Sequence, residues 1–500
     1  FWFHDEMLTM LLIQGMTLLW LTAMVPQTRP SLCSSAFNLC TATPAQLALL
    51  LTAFGLMSIG AGCIRPCSIA FGADQLIKQD DREDTSILDS YFSWYYASIG
   101  ASSILALTLI VYIQDNLGWQ VGFGVPASLM SCSAFFFFAG SCFYVKVKTH
   151  ESLFTGLVQV FVVAIKNKNL VLPSVTLDGV YYHKKDSNLT VPSDHLRCLN
   201  KACIIRDTEE ELNPDGLALN PWKPCNVDQV EELKSLVRIL PIWSTGIIID
   251  VTLSQSFTVL QAQTMNRYVT SSFQIPAGSY FLFSVVTITI WAPFYDRVLV
   301  PLISKCTGLR NGIGSNIRIG MGLVLSCMAM AVSAIVENIR RSTAIREGFL
   351  DNPTAVIEMS ATWPIPQLVI LGIAEAFNCI GQMELYYSCL PRSMASIPMA
   401  FCTMGMAFSS LVGSLIIDIV NAVTSSGGKV SWLSSNLNRR CYDYYYWLLA
   451  ALSLLNFIYF LVCCWACGPC QEASMVSDDK DDLKEVLLAK SRELSNGFSV

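Results

Sequence analysis

Ten long apolar stretches, bounded by charged or turn-forming residues, run along this chain. The first four are Met7–Val25, Ala45–Ala73, Tyr91–Ile113 and Trp119–Val145; the other six are Leu240–Gln261, Ala277–Tyr295, Ile319–Val336, Pro366–Ser388, Ile397–Val420 and Tyr444–Cys467. A bilayer core of about 30 Å requires about 20 consecutive apolar residues in a helix. Lipid offers no hydrogen-bond partner, so each span must satisfy its own backbone as helix, whereas barrel strands would be half as long and would alternate in polarity. The pattern predicts an all-α polytopic membrane protein.

The spans fall into two sets, four and then six, separated by a polar region with no membrane-length run. This gives a partial N-terminal bundle over residues 1–145, a cytoplasmic linker over 146–238, a six-helix bundle over 239–470 and a cytoplasmic tail over 471–500. Within the linker, Leu153, Leu157, Val160 and Ile165 recur at helical spacing before Lys166 and Lys168, as in a helix lying on a membrane surface or one that covers the joint between the bundles. Asn188-Leu-Thr190 matches the glycosylation pattern, but a cytoplasmic linker makes the match accidental. Many carriers are built from two similar six-helix halves. Four plus six is unbalanced and the chain opens on Phe1, so a missing helix pair at the front is expected.

Composition agrees with the pattern: 53% of the 500 residues are hydrophobic and 14% charged, more apolar surface than soluble cores of this length need. The 32 Lys and Arg residues bear on orientation. With the first span leaving the cytoplasm, 23 fall in inside loops and eight outside, Arg65 lying within a span. Arg297, Lys305, Arg310 and Arg318 share one short inside loop, while Arg340, Arg341 and Arg346 stand against the assignment. The net charge of −6 is divided among loops, and nucleic-acid binding has no support. Most of the 19 cysteines lie in apolar spans, where Cys acts as a small hydrophobe. Cys33 and Cys40 share an outside loop and are near enough in sequence to bridge. Cys467-Gly-Pro-Cys470 has the spacing of a redox site but follows a span directly, which favours plain or acylated juxtamembrane thiols. No metal site, catalytic group or organic cofactor is expected.

Charges inside spans are where chemistry is sought, because each costs several kcal/mol unless paired or hydrated. Arg65 follows 21 uncharged residues, and Glu375 has uncharged neighbours from Thr362 to Ala374 and from Ala376 to Met383. Asp250 lies in the fifth span and Asp418 near the end of the ninth. Arg65 is about 13 Å along the helix from Asp74, so snorkelling to the interface competes with a role in a cavity. Glu375 is too deep to snorkel easily. Glu384 and Asp418, nearer the span ends, read equally as interfacial packing. Gly60, Gly62 and Pro66 flank Arg65, Pro241 opens the Asp250 span, and Gly372 with Gly381 brackets Glu375; such residues serve close helix approach or, for proline, free a carbonyl.

The wording of these segments is itself informative. Gly60-Ala-Gly-Cys-Ile-Arg65-Pro-Cys-Ser-Ile-Ala-Phe-Gly-Ala-Asp74-Gln75 resembles the fourth-helix signature of the plant nitrate/peptide transporter family, part of the proton-coupled oligopeptide transporters in the major facilitator superfamily. Phe92-Ser-Trp-Tyr-Tyr96, Val111-Tyr-Ile-Gln-Asp115, Gln229-Val-Glu-Glu-Leu-Lys234 with Pro241-Ile-Trp243, Tyr295-Asp296-Arg297-Val-Leu-Val-Pro301, and Glu375-Ala-Phe followed by Gly381-Gln-Met-Glu384 extend the resemblance from about Met10 to Cys467. It implies a twelve-helix fold of which this chain holds helices three to twelve. Arg65 then lies on helix four and Glu375 on helix ten, where the family forms a cross-bundle pair that gates the cytoplasmic side. The family's first-helix Glu-x-x-Glu-Arg motif is absent. Gly100 stands where many members carry Asn, and Leu253 stands where one nitrate-transporting member uses His.

The expected function is a proton-linked carrier of a small anion, nitrate or an organic acid such as a plant hormone, working by alternating access in the plasma membrane with a cytoplasmic C-terminus. Arg65, Glu375, Gln255, Trp243 and Tyr96 are the expected cavity residues, and Asp250, Glu384, Asp296 and Arg297 the expected gating or structural charges. The proton is the only coupling partner besides substrate and lipid. The alternative is a truncated, transport-inactive membrane protein of the same family.

Overall fold

The computed structural model describes residues 2–28, 42–76, 85–145, 153–170, 180–183, 191–205, 213, 218–220, 222–254, 257–271, 273–307, 313–352, 355–391, 394, 397–426, 431–433, 436–439 and 441–467. Cys33, Cys40, Asn188, Gln255, Cys470 and the acidic tail lie outside the described residues.

The apolar stretches are helices. In chain order they are α1 (Trp2–Met24), α2 (Pro44–Leu76), α3 (Thr85–Leu105), α4 (Val111–Leu117), α5 (Trp119–Ala139), α6 (Leu153–Lys166), α7 (Val227–Ser254), α8 (Thr258–Gln263), α9 (Leu282–Phe294), α10 (Val300–Thr307), α11 (Ser315–Arg346), α12 (Ile365–Cys389), α13 (Ile397–Thr424) and α14 (Tyr442–Cys467). Nine helical spans among the described residues are long and apolar enough to cross a membrane, and the apolar part of α1 adds a shorter one, Thr9–Met24. Two spans contain a turn of π-helix: Ala106–Ile110 joins α3 to α4, and Tyr295–Leu299 joins α9 to α10. The seventh of the ten stretches extends beyond its apolar run, since α11 continues through the charged residues after Val336 to Arg346. A two-stranded parallel ladder pairs β1 (Met265–Asn266) with β2 (Ile357–Ser360).

The chain forms two compact units. The first comprises residues 1–149, 246–379 and 399–456, and the second 150–245, 380–398 and 457–500, so that α7, α12, α13 and α14 contribute residues to both. Within the first unit, a β-carbon at Gly60 would stand 2.6 Å from Leu12 Cβ, so glycine there lets α1 and α2 approach as lipid-embedded helices do. α4 and α5 reverse direction through a single residue, Gly118, whose φ of +85° is open to glycine and strained for other residues. The core of the six-span set centres on Val251, Met330, Leu371, Tyr442, Tyr445, Tyr446 and Leu449. Phe257, at the break between α7 and α8, enters this cluster with its ring centroid 4.8 Å from Tyr442 and 5.7 Å from Tyr445.

The second unit has a core of its own. One face of α6, with Val160 and Val163, packs with Tyr181, Ala202, Cys203, Ile204 and Cys225 against Val227 and Val230 of α7. The opposite face of α6 is also apolar, leaving Val158, Phe161, Val162 and Ile165 exposed at positions i, i+3, i+4 and i+7. The Glu231 and Lys234 positions of the recognised motif have a structural task. Glu231 Oε1 accepts from the Ser193 N–H at 2.8 Å, Glu231 Oε2 from the Ser193 hydroxyl at 2.8 Å, and Lys234 Nζ donates to the Ser193 carbonyl at 2.8 Å. Lys234 also meets Glu231 Oε1 at 2.7 Å, completing a clasp that fixes a linker loop to the start of α7.

Burial pushes the thiols of Cys203 and Cys225 up to about 12. Thiolate is the reactive form, so at pH 7.5 it amounts to roughly three molecules in a hundred thousand for either residue. In the native protein iodoacetamide is expected to label exposed Cys198 and to spare Cys203 and Cys225, with both becoming reactive on denaturation. Mass spectrometry of peptides from native and denatured samples checks this, and native labelling of Cys203 at the Cys198 rate would contradict the packed linker core.

Candidate functional site

Two of the intramembrane charges come together. Asp250 is near the end of α7 and Glu375 near the middle of α12, and their carboxylates lie within electrostatic reach of one another. The thiols of Cys379 on α12 and Cys402 on α13 lie within electrostatic reach of the same two carboxylates. One carboxylate oxygen of Glu375, Oε2, is buried and accepts no hydrogen bond among the described residues.

Close helix contacts fix the position of this pair. A β-carbon at Gly322 of α11 would meet the Ala374 carbonyl at 2.8 Å and the Asn378 nitrogen at 3.0 Å, on either side of Glu375. One at Gly372 would meet the Ser284 carbonyl at 2.8 Å, so α12 is pressed between α9 and α11. Gly372 thus acts as a packing residue rather than a hinge. Below Glu375, Phe377 stacks edge-on to Trp291 and Tyr295 with centroids 5.6 Å away in each case. The Tyr295 hydroxyl accepts from Arg318 Nε at 3.0 Å, and the Arg318 guanidinium lies 4.6 Å from that ring's centroid. Arg318, counted from sequence as a loop charge, is therefore a buried residue in the first turn of α11.

Past the break that follows Ser254, α8 is clamped by a second charge cluster. Glu337 and Arg340 of α11 form an ion pair with both side chains fully buried. Arg340 donates to the two carboxylate oxygens of Glu337 at 2.8 Å each, to Asn438 Oδ1 at 3.0 Å and to the Leu437 carbonyl at 3.1 Å. Gln261 of α8 donates to Glu337 Oε2 at 2.8 Å, and Gln367 of α12 donates to Gln261 Oε1 at 3.2 Å. Arg341, which also stands against the orientation from sequence, pairs with Asp443 at 3.7 Å, and Arg439 pairs with Asp351.

The remaining expected residues are placed as follows. Arg65 lies on α2, which runs unbroken past Pro66; Tyr96 lies on α3 and Asp296 in the second π-turn, and these three are located by backbone alone. Pro66 has no N–H, so the Gly62 carbonyl receives no bond from it inside α2. Arg297 is exposed, Trp243 is half-buried on α7, and Glu384 is on α12 among residues of the second unit.

With this arrangement in view, comparison with known proteins is decisive: the description of the POT family matches residues 7–433. The chain belongs to the POT family. Protein NRT1/PTR FAMILY 1.2 of Arabidopsis thaliana is 49% identical over 464 residues, covering 91% of this chain and 76% of that protein. Protein NRT1/PTR FAMILY 1.1 of the same plant is 48% identical over 472 residues, covering 93% and 79%. An auto-inhibited POT family peptide transporter of known structure superposes with a TM-score of 0.61 at 17% identity, covering 92% of this chain and 81% of its own. The POT family transporter PepTSo gives 0.60 at 16% identity, covering 93% and 83%. At those identities the structural likeness is one of fold. This POT family chain is an integral membrane transporter and not an enzyme.

Two features of this POT family chain escaped sequence reasoning. Cys379 and Cys402 read as small hydrophobes within apolar runs. The Glu337–Arg340 pair was taken as loop charge because the apolar run stops at Val336; the i, i+3 spacing of opposite charges directly after a span was the available signal. Arg340→Ala would leave Glu337 buried without its cation and is expected to cost about 3–5 kcal/mol of stability, whereas replacing both residues by Leu should recover most of that loss. Thermal unfolding of the purified chain in detergent measures both, and an unchanged midpoint for Arg340→Ala would refute the clamp.

Proposed function

We propose that this chain carries a small anion, nitrate or an organic acid such as a plant hormone, together with protons, by alternating access of its two sets of helices. The observation that carries the proposal is the placing of Asp250 on α7 and Glu375 on α12 within electrostatic reach of one another, with Cys379 and Cys402 near them. Such a pair titrates as one unit. Protonation removes like-charge repulsion between α7 and α12 and so changes which arrangement of the helices is favoured. Arg65, on the opposite set of helices, supplies the positive charge that attracts an anion or its carboxylate, and it pairs with Glu375 when no substrate is held. Trp243, Gln255 and Tyr96 complete the cavity. Leu253, in place of a histidine on the same helix, leaves proton coupling to the carboxylates. We place the protein in the plasma membrane with its linker and C-terminus in the cytoplasm, in keeping with the excess of Lys and Arg on that side.

Proteoliposomes carrying the chain, given labelled nitrate or members of an organic-acid panel, test the proposal. An inward proton gradient is expected to drive uptake of at least one anion. Glu375→Gln should abolish the gradient-dependent part while leaving the protein folded, and Arg65→Ala should raise the half-saturating anion concentration. Uptake by Glu375→Gln that follows the proton gradient as in the parent chain would refute the role given to that residue. No anion uptake by the parent chain would favour the transport-inactive reading instead.

A further inference from the structure

The two sets of spans meet along α3–α4 and α9, which run antiparallel, and the contact contains a part-buried polar bond. In the π-turn Ala106–Ile110 the Val111 N–H reaches back five residues to the Ala106 carbonyl. In a regular α-helix that N–H would serve the Leu107 carbonyl, four residues back. The Leu107 carbonyl instead accepts the hydroxyl of Ser279 at 2.7 Å. Ser279 is buried in the 3₁₀ turn Ala277–Phe281, which leads into α9. Close contacts lie on both sides of this bond. A β-carbon at Gly278 would be 3.2 Å from Val111 Cγ1, and one at Gly100 would be 3.0 Å from Thr289 Cγ2. From Gly100 to Val111 is about 16 Å of helix at 1.5 Å per residue.

We propose that Ser279 is a positioning residue for transport, a latch whose hydroxyl holds the two sets of helices together through the Leu107 carbonyl that the π-turn releases, and that the transport cycle breaks and remakes this bond. The proposal rests on the alternating-access reading above, because α3–α4 belongs to the first set and α9 to the second, so rocking one set against the other parts these helices at the end that carries Leu117 and Ala277. π-turns within helices concentrate at functional positions. Here the turn supplies an acceptor facing the other set. A bond of this kind contributes modestly in net terms, so it can be broken in each cycle and still bias the populations. Losing it is expected to shift the ratio of closed to parted states by about two- to tenfold.

Distance measurement on the full chain in nanodiscs tests this. Ketone-bearing amino acids at Leu117 and Tyr268, both exposed, accept nitroxides without using the native cysteines, and double electron–electron resonance then reads the separation of the two sets at that end. Ser279→Ala should move population from the shorter to the longer distance by about two- to tenfold, and Ser279→Thr, which keeps the hydroxyl, should restore the parent distribution. Gly278→Ala, which wedges against Val111 while leaving the bond's two partners in place, should also favour the longer distance and serves if Ser279→Ala fails to fold. Identical distributions for the parent, Ser279→Ala and Gly278→Ala would overturn the latch. Transport by the parent chain with no shift in the variants rejects the latch and keeps the carrier; a shift in the variants with no transport by the parent keeps the latch and rejects the carrier.

Discussion

The cost of placing charge among lipid-embedded helices governs this structure. An isolated ion in that setting has no water to solvate it, so each charged residue must be paired, shielded or neutralised by a proton. The chain uses three arrangements. Glu337 and Arg340 satisfy one another completely, with amides from α8 and the loop before α14 taking the remaining valences. Arg318 lies over an aromatic ring and donates to its hydroxyl. Asp250 and Glu375 differ, for each lies within electrostatic reach of a like charge.

This difference separates scaffold from working part. The paired cluster ties α8, α11 and α12 together. Glycines at 322 and 372 bring α12 against α11 and α9, so the turn that carries Glu375 cannot shift without moving its neighbours. Where α3–α4 meets α9, small residues at Gly100 and Gly278 and the hydroxyl–carbonyl bond of Ser279 with Leu107 lie together.

Much of the fold was legible in the chain because a bilayer imposes helices of near-constant length, and apolar runs such as Trp119–Val145 and Ile397–Val420 map directly onto α5 and α13. What was hidden is physically consistent. The length of α11 was underestimated since Glu337 and Arg340 end the apolar run, yet in space they cancel, and only the fold shows that Gln261 and Asn438 complete their coordination. The π-turns at Ala106 and Tyr295 leave no mark in composition, because they displace one hydrogen bond rather than change polarity. Glu375 was recognisable from depth alone; that its titratable neighbour is Asp250 was not, since the two residues are 125 positions apart in sequence.

Transport follows from these parts if the two carboxylates behave as one titrating unit that sets the packing of α7 against α12. The most direct measurement is the infrared titration of carboxyl C=O absorption for the chain in nanodiscs, recorded for the parent, Asp250→Asn and Glu375→Gln. Neutralising either residue should move the midpoint at which the other titrates. Superimposable titrations of each remaining carboxyl, with and without its neighbour's charge, would contradict the account.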